Sequence, residues 1–299
     1  MAAPAVALPL QVAKLLAVIT AVHSPARATP LFPLDNHIKQ VGGLRIGVLG
    51  TGRVASQLAP ALVAAGHHIA FVWGRTPAAA EALAAQLPGT AALATLAPPL
   101  PPADVYLLAV PDAAVAPLLA GTRWPAGALV AHLAGVLPLS VFEARPAVRG
   151  GVFYPLQTFS AGRAIDWPAV PLCIEATDAT AEATLLALAR GLSGDVRRLS
   201  SAQRLKLHVA AVFANNFTTH LLGIADALLA EADLPASLLA PLVRETVAKA
   251  LANPPFAVQT GPAVRHDAPT LAAHHAALAA HPAWQALYAQ LTASIQAQL

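Results

Sequence analysis

Short apolar runs alternate with helical patterns through the first two thirds of the chain. The apolar runs that predict strands are residues 46–49, 69–73, 105–110, 128–131, 152–154, 172–175 and 196–199. Apolar residues at every third or fourth position predict helices between several of these runs, at 54–65, 77–87 and 179–190. Strands that alternate with helices are typical of an α/β fold with a doubly wound parallel sheet.

The pattern changes at Ser200. From there the chain predicts helices only, at about 201–230, 235–251, 270–280 and 282–298. We therefore predict two domains: the doubly wound sheet over residues 44–199 and an all-helical C-terminal domain over residues 200–299.

Residues 1–43 precede the first predicted strand, and we expect a poorly ordered extension there. A short apolar run at 15–22 precedes Ala26-Arg27-Ala28, which loosely resembles a signal-peptide cleavage site. However, no Lys or Arg precedes Lys14, so the charged start of a signal peptide is missing. A disordered extension or an upstream start codon is favoured over a signal peptide. We expect a cytoplasmic protein with no membrane association.

Composition narrows the classes of function. The apolar fraction of 57% comes largely from alanine, which indicates helix-rich packing rather than a membrane protein. The formal net charge is only +3, and no cluster of Lys and Arg argues for a nucleic-acid partner. A single cysteine, Cys173, excludes an internal disulfide and a multi-cysteine metal site. His274 and His275 have no ligand partner at zinc spacing, so we predict no metal.

The first predicted strand ends in a glycine-rich turn that leads into a helix. The turn reads Gly50-Thr51-Gly52-Arg53-Val54-Ala55, and we predict that its first five residues, Gly50, Thr51, Gly52, Arg53 and Val54, bind the cofactor. A strand, Gly-x-Gly-x-x-Ala and a helix in this order predict a Rossmann-type dinucleotide-binding unit. Gly50 permits the tight turn, Gly52 lets the backbone approach a pyrophosphate, and unpaired N–H groups at the start of the helix would bind it. An ordinary glycine turn is the alternative.

The end of the second predicted strand indicates which dinucleotide binds. An NAD site places Asp or Glu there to hold the ribose hydroxyls, but the nearest acid is Glu81, inside the next helix. Arg75 and Thr76 stand there instead, and a guanidinium and a hydroxyl suit a 2′-phosphate. We therefore predict NADP(H) as the cofactor. The alternative is that Thr76 only caps the helix beginning at Pro77, with Arg75 in solvent.

Other strand ends supply further candidate binding residues, because ligands of open α/β sheets lie beyond the carboxyl ends of the strands. Val110, Pro111 and Asp112 follow one strand and are predicted to contact the cofactor, although Asp112 could instead cap the next helix. A second group, predicted to contact the substrate, follows another strand and consists of Tyr154, Gln157 and Thr158.

One face of the long helix carries polar side chains. At 100° per residue, Asn215 lies about 20° to one side of His208 and Thr219 about 20° to the other. Asn216 falls at the edge of this face, and Lys206 points to roughly the opposite side. We predict His208 and Asn215 as catalytic residues, with His208 as the acid, and Thr219 as a substrate-binding residue. A helix packing face or a dimer surface is the alternative.

Two more side chains are candidates. His132, at a strand end, could be the proton donor because histidine titrates near neutral pH, or it could be a hydrogen-bonded structural residue. Arg265 lies near Asp267 and could bind an acidic group of the substrate or form a structural ion pair.

Five motifs together resemble a known family. They are Gly50-Thr-Gly-Arg-Val-Ala, His132-Leu-Ala-Gly135, Tyr154-Pro-Leu-Gln-Thr-Phe-Ser160, Ala214-Asn-Asn-Phe-Thr-Thr-His220 and Thr260-Gly-Pro-Ala-Val-Arg-His-Asp267. From Leu44 to the C-terminus the chain resembles oxidoreductases that join a Rossmann-like domain to a "domain of unknown function 2520", whose second module begins near residue 152. The family usually has His where this chain has Tyr154 and Gly where it has His266.

The resemblance implies an NADP(H)-dependent oxidoreductase, similar in plan to pyrroline-5-carboxylate reductase and prephenate dehydrogenase. Such an enzyme would reduce a small carbonyl or imine, or run the reverse oxidation, and would form a homodimer through its helical domain. A non-catalytic NADP-binding sensor or regulator is one alternative, and an enzyme that pairs NADP with a deazaflavin is another. No residue indicates the identity of the substrate.

Overall fold

The computed structural model describes residues 43–160 and 162–298. The predicted N-terminal extension, residues 1–43, lies outside the described residues except for Gly43.

The described strands form one eight-stranded sheet in the order β3-β2-β1-β4-β5-β6-β7-β8. They are β1 Arg45–Leu49, β2 His68–Trp73, β3 Ala91–Leu93, β4 Val105–Leu108, β5 Leu129–His132, β6 Arg149–Pro155, β7 Leu172–Ala176 and β8 Val196–Arg198. The first six follow the strand order of the Rossmann fold.

The helices are α1 Ala55–Ala64, α2 Pro77–Ala84, α3 Asp112–Gly121, α4 Ala179–Arg190, α5 Ser201–Ala211, α6 Thr218–Glu231, α7 Ala240–Ala252, α8 Ala268–Ala277 and α9 Pro282–Gln296. Short 3₁₀ helices cover Leu139–Phe142, Trp167–Ala169, Ala236–Leu239 and Pro255–Val258. A π-helical turn, Val212–Phe217, joins α5 to α6. None of the helices in the described part of the chain is both long enough and apolar enough to cross a bilayer.

Helices cover both faces of the sheet, which confirms the predicted α/β class. Helices α1, α2 and α4 bury Leu62, Leu83 and Leu185 against one face. Helix α3 buries Leu119 against the other. Because both faces are covered, β1, β4 and β5 read as continuous apolar runs rather than as alternating ones.

The sheet is parallel from β1 to β6, as predicted, and the pairing reverses once at the next strand. Strand β7 pairs antiparallel with β6, and β8 runs parallel to β7. The described chain between Pro155 and Leu172 contains only a 3₁₀ helix and loop, without the crossover helix that usually joins parallel strands. The chain therefore reverses its direction in the loop after β6, and β7 runs back along β6.

The part of the chain after β8 is helical and largely exposed. Helix α5 starts with a capping box, in which the Ser200 side chain and Gln203 bond each other's backbone N–H groups. Among residues 205–298, only Ala263 and Leu278 are buried hydrophobic residues. These helices therefore do not enclose a core of their own.

Candidate functional site

A turn with two glycines joins β1 to α1. Gly50 has a φ of +128°, a conformation that favours glycine, and its N–H donates to the carbonyl of Trp73 at 2.7 Å. A Cβ at Gly50 would collide with the carbonyl of Ala109, and one at Gly74 would lie 2.8 Å from the Thr51 side chain. Glycine is required here because β1, β2 and β4 approach one another closely.

The start of α1 is a cradle for an anion. No side chain caps this helix, whose N-cap residue is Val54. In the described structure the N–H groups of Ser56 and Gln57 donate to the carbonyls of Gly52 and Val54, whereas those of residues 52–55 have no acceptor. The space that a Cβ at Gly52 would occupy is open. Exposed N–H groups at the positive end of a helix, with no side chain in the way, fit a pyrophosphate.

A cleft of about 520 Å³ opens beside this turn. Seven of the predicted cofactor-binding residues line it: Gly50, Thr51, Gly52, Arg75, Thr76, Val110 and Pro111. Other lining residues, such as Leu96 and Leu118, could not be predicted, because a loop and the far end of α3 contribute them.

Three predicted cofactor residues are not among the lining residues: Arg53, Val54 and Asp112. Arg53 and Asp112 have exposed side chains. The capping alternatives are not observed, since Thr76 makes no side-chain cap at α2 and Pro111, not Asp112, is the N-cap residue of α3.

A second cleft, of about 450 Å³, lies between the end of β6 and the helix α5 with its π turn. Its lining includes five of the predicted catalytic and substrate-binding residues, namely Tyr154, Gln157, Thr158, His208 and Asn215. The other lining residues are Leu156, Leu207, Ala210, Ala211, Val212, Ala214 and Asn216. None of these described residues is Asp, Glu, Lys or Arg.

His208 is held between a hydroxyl and a glycine. Its Nδ1 lies 3.1 Å from the Tyr154 hydroxyl oxygen, within hydrogen-bond distance. The ring also packs on Gly135, where a Cβ would lie 2.8 Å from the imidazole Cγ. Burial is the main cause that raises the pKa of Tyr154 to about 12, so its hydroxyl stays protonated near neutral pH. The structure thus brings together Gly135 after β5, Tyr154 in β6 and His208 in α5, which are far apart in the sequence.

His132 does not belong to either cleft, which corrects its prediction as a proton donor. Its side chain is 0% exposed and stacks on Phe142, and its Nδ1 accepts a hydrogen bond from the N–H of Ala134 at 3.2 Å. Burial, helped by the positive charge of Arg204, lowers the pKa of His132 to about 3. The imidazole is therefore neutral at physiological pH and fits the alternative of a hydrogen-bonded structural residue.

The π turn explains why Thr219 does not line the second cleft and Asn216 does. A π turn contains more residues than a regular helical turn, so later side chains rotate away from their expected face. The regular 100° spacing used for the prediction fails from this point. The Thr219 hydroxyl donates instead to the carbonyl of Asn215 at 2.8 Å.

Arg265 also lies outside the lining of the second cleft. Its side chain is 65% exposed and approaches the Asp267 carboxylate at 3.9 Å. Asp267 in turn caps α8 by accepting from the N–H of Thr270. This geometry matches the structural ion pair that was the alternative.

Among residues 43–160 and 162–298, no group of three or more His, Cys, Asp or Glu side chains is arranged to hold a metal ion.

Two family models match the chain. Residues 45–134 match "NADP oxidoreductase coenzyme F420-dependent", and residues 170–295 match a "Domain of unknown function" numbered 2520. Among curated proteins, none matches this chain.

Several solved structures are similar. A protein described as a "putative NADP oxidoreductase" from Bacteroides fragilis is 38% identical, with a TM-score of 0.77; the alignment covers 85% of this chain and 98% of that one. A reductive aminase from Aspergillus terreus, solved with NADPH and ethyl levulinate, is 18% identical over 85% and 93% of the two chains, with a TM-score of 0.63. A 1-pyrroline-5-carboxylate reductase from Streptococcus pyogenes is 12% identical over 86% and 99%, with a TM-score of 0.55. The last two share the fold.

The mostly parallel sheet and the glycine turn after β1 define a dinucleotide-binding protein of the Rossmann class. Within that class, the chain belongs to the family of NADP oxidoreductases that carry the domain of unknown function 2520. Its cofactor is NADP(H).

Proposed function

We propose that this chain uses NADP(H) to reduce a small carbonyl compound or an imine, or to run the reverse oxidation. The observation that carries the proposal is the contact between His208 and Tyr154 in a largely apolar cleft. NADPH supplies a hydride when it is bound. The reduction also consumes one proton, which a side chain beside the reacting carbon has to supply.

His208 is the proposed proton donor. In its protonated form the Nδ1–H donates to the Tyr154 oxygen, which leaves the Nε2–H for the substrate. The carbonyl oxygen or imine nitrogen takes this proton while its carbon takes the hydride. The neutral imidazole then keeps its other proton on Nδ1, against Tyr154. Tyr154 orients the ring, since its own hydroxyl stays protonated.

Amide and hydroxyl groups around His208 would orient the substrate. Asn215 and Asn216 lie on the π turn, and Gln157 and Thr158 follow β6. A carbonyl or imine can accept from an amide N–H or a hydroxyl. Because no Asp, Glu, Lys or Arg is among the described residues that line this cleft, the lining favours a substrate without a carboxylate.

Arg75 and Thr76 are the proposed 2′-phosphate ligands. Both are exposed, line the first cleft and follow β2, the strand whose end meets the ribose in Rossmann folds. Pairing between a guanidinium and a phosphate is charge-assisted and therefore strong. The Thr76 hydroxyl is free for this contact because it does not cap α2.

A second copy of this chain is the proposed partner of the helical part. Five large apolar residues at four-residue spacing form an apolar stripe: Leu205, Val209, Phe213, Phe217 and Leu221. Each is at least 40% exposed. Helices that bury so few hydrophobic residues within the chain are stabilised when another surface covers them. A second copy of this chain supplies such a surface, because it carries the same exposed apolar stripe. The stripe shares its helix with His208, so the partner would lie near the second cleft.

The proposed division into a sheet domain over 44–199 and a helical domain over 200–299 rests on the absence of strands after Arg198 in the described chain. The family match at 170–295 includes β7 and β8 and so begins earlier. The cytoplasmic location and the absence of a nucleic-acid partner stay predictions from the sequence.

The test combines cofactor binding with turnover. Purified protein would be titrated with NADPH and NADH by calorimetry, and NADPH oxidation followed with matched neutral ketones, imines and 2-oxo acids. We expect NADPH to bind more tightly than NADH and turnover to be fastest with a neutral compound.

His208→Asn then separates an enzyme from a sensor. Loss of a general acid costs about 10²–10⁴-fold in rate, and NADPH affinity should be unchanged because His208 is outside the first cleft. His220→Asn, at an exposed histidine of α6, is the control. Tight NADPH binding without turnover of any compound would contradict an enzyme and favour a sensor.

A further inference from the structure

A buried arginine lies one helical turn before His208. The side chain of Arg204 is 1% exposed, and its Nη1 donates to the Glu175 carboxylate in β7. Its Nη2 donates to the carbonyl of Leu137, in the segment that follows β5. One guanidinium therefore joins helix α5 to a strand and to a loop.

Ser201 completes this network. Its N–H and its hydroxyl donate to the two Glu175 oxygens at 2.8 and 2.7 Å. The Ser201 oxygen also accepts from the N–H of Leu139 at 2.9 Å. Helix α5 is thus held by the same carboxylate and the same loop at its first residue and again at Arg204.

The network bounds the position of His208 from two sides. Arg204 and His208 are four residues apart, so they lie on the same face of α5. The loop that Arg204 holds includes Gly135, two residues before Leu137, and the His208 ring packs on Gly135. A shift of either the helix or this loop would change the gap that the imidazole fills.

Stability alone does not account for this pair. Burial of an ion pair costs desolvation free energy, and well-packed apolar residues of similar volume are often as stabilising. In the described structure the Arg204 Nε–H is also buried without a hydrogen-bond partner, which adds a further cost.

We propose that Arg204, paired with Glu175, is a positioning residue that sets His208 at its distance from Tyr154 and Gly135. This inference rests on the proposed role of His208 as the acid. Arg204 itself lines neither cleft and acts only through the placement of α5 and the loop after β5.

The test uses the double variant Glu175→Gln/Arg204→Met. It removes both charges together, so no unpaired charge is left in the interior, and Gln can still accept from Ser201. Misplacement of a reacting group by about 1 Å can cost about 10²-fold in rate. We therefore expect kcat to fall by about 10²-fold with the KM for NADPH unchanged and with a melting temperature near that of the wild type. Arg204→Lys, which keeps the charge without the planar fork, should recover part of this loss.

The ring of His208 supplies a readout that does not depend on turnover. In wild-type protein, ¹⁵N NMR should show one dominant tautomer of His208, because Tyr154 and Gly135 hold the ring. In the double variant the two tautomers should mix. Arg198→Met/Glu182→Gln, which removes an exposed ion pair elsewhere, is the matched control and should leave both kcat and the tautomer unchanged.

The outcomes separate the two proposals. Wild-type kcat and a single tautomer in Glu175→Gln/Arg204→Met would overturn the positioning role. If His208→Asn kept full turnover while the double variant still released the ring, the positioning would stand and the acid assignment would fall.

Discussion

Gly135 leaves the space into which the His208 imidazole fits, so the type of one residue limits where another can lie. The sequence placed Gly135 near a strand end and His208 on a polar helix face, but it could not indicate that they touch. The two are 73 positions apart, and their contact depends on how α5 packs beside β6 and the loop after β5. The sequence thus showed which side chains could take part in the chemistry, but it did not show which of them contact one another.

Gly135→Ala tests this contact. The new Cβ would overlap the imidazole and displace it from Tyr154, so kcat should fall by about 10²-fold while NADPH affinity stays the same. Steady-state kinetics and a calorimetric titration would check this. Gly191→Ala is the control, because its Cβ would make only ordinary contacts. Unchanged kcat in Gly135→Ala would mean that the ring has room to move without consequence.

His132 gives a prediction on the pH dependence of stability. Because burial holds its pKa near 3, below the usual value of 6.5, the unfolded chain binds a proton that the folded chain does not. The folded state therefore loses stability as the pH falls from about 6.5 toward 3. In His132→Phe this loss should be shallower, as measured by urea unfolding at several pH values.

His132→Phe also tests the corrected assignment. The variant keeps an aromatic ring against Phe142 and loses the acceptor for Ala134, at a cost of about 1–3 kcal/mol. The kcat of the folded protein should equal that of the wild type. A rate loss comparable to that of His208→Asn would restore His132 as the proton donor.

At the scale of elements, the sequence predicted the buried strands and the bounds of α4 well. Continuous apolar runs marked β1, β4 and β5 because both of their faces are covered. It missed β3, a three-residue edge strand whose side chains are largely exposed, and it missed the π turn. Neither feature has a strong local signal in the sequence. Strand β3 forms because it pairs with β2, and the π turn interrupts an apolar spacing that is typical of a regular helix.

The N-terminus of α4 supports an element-scale prediction. Asp178 caps this helix by accepting from the N–H of Ala181 and pairs with Arg149 of β6 at 2.9 Å. The hydrogen bond from Arg149, then that from Ala181, lowers the pKa of Asp178 to about 2. A carboxyl with a lowered pKa stabilises the fold above its unfolded pKa and stops doing so as the pH falls through 2.

Asp178→Ala should therefore lose about 1–2 kcal/mol of unfolding free energy at pH 7, a typical cost for a lost cap. The difference from wild type should shrink between pH 4 and pH 2, as measured by chemical denaturation. Asp178→Asn, which retains a capping oxygen without the charge, should lose less. A difference that did not vary with pH would show that the ionised form makes no contribution.

At the scale of the molecule, the order of sheet and helices was predictable, whereas the exposed stripe along α5 and α6 was not. The spacing of apolar residues in the sequence identifies strands and helices. However, a helix that packs on its own domain and a helix that packs on another copy show the same apolar spacing. Only the folded chain shows that the stripe from Leu205 to Leu221 has no cover within the described residues.

Val209→Asp/Phe213→Asp should shift the protein from dimer to monomer at micromolar concentration. Two carboxylates in an apolar interface would be costly to bury, and light scattering coupled to size exclusion would detect the change. Ala183→Asp, at an exposed position of α4, should remain dimeric. Wild-type protein that eluted as a monomer at the same concentration would contradict self-association.

The π turn gives the helix between Ser201 and Glu231 a spare residue. Removing one amino acid from Val212–Phe217 would let regular winding resume, and the side chains of α6 would keep their present faces because only the extra residue is lost. The backbone that carries Asn215 and Asn216 would be rewound, so the amides that line the second cleft would change position. A single codon deletion would thereby alter the polar groups beside the substrate while the helices on either side stay in place.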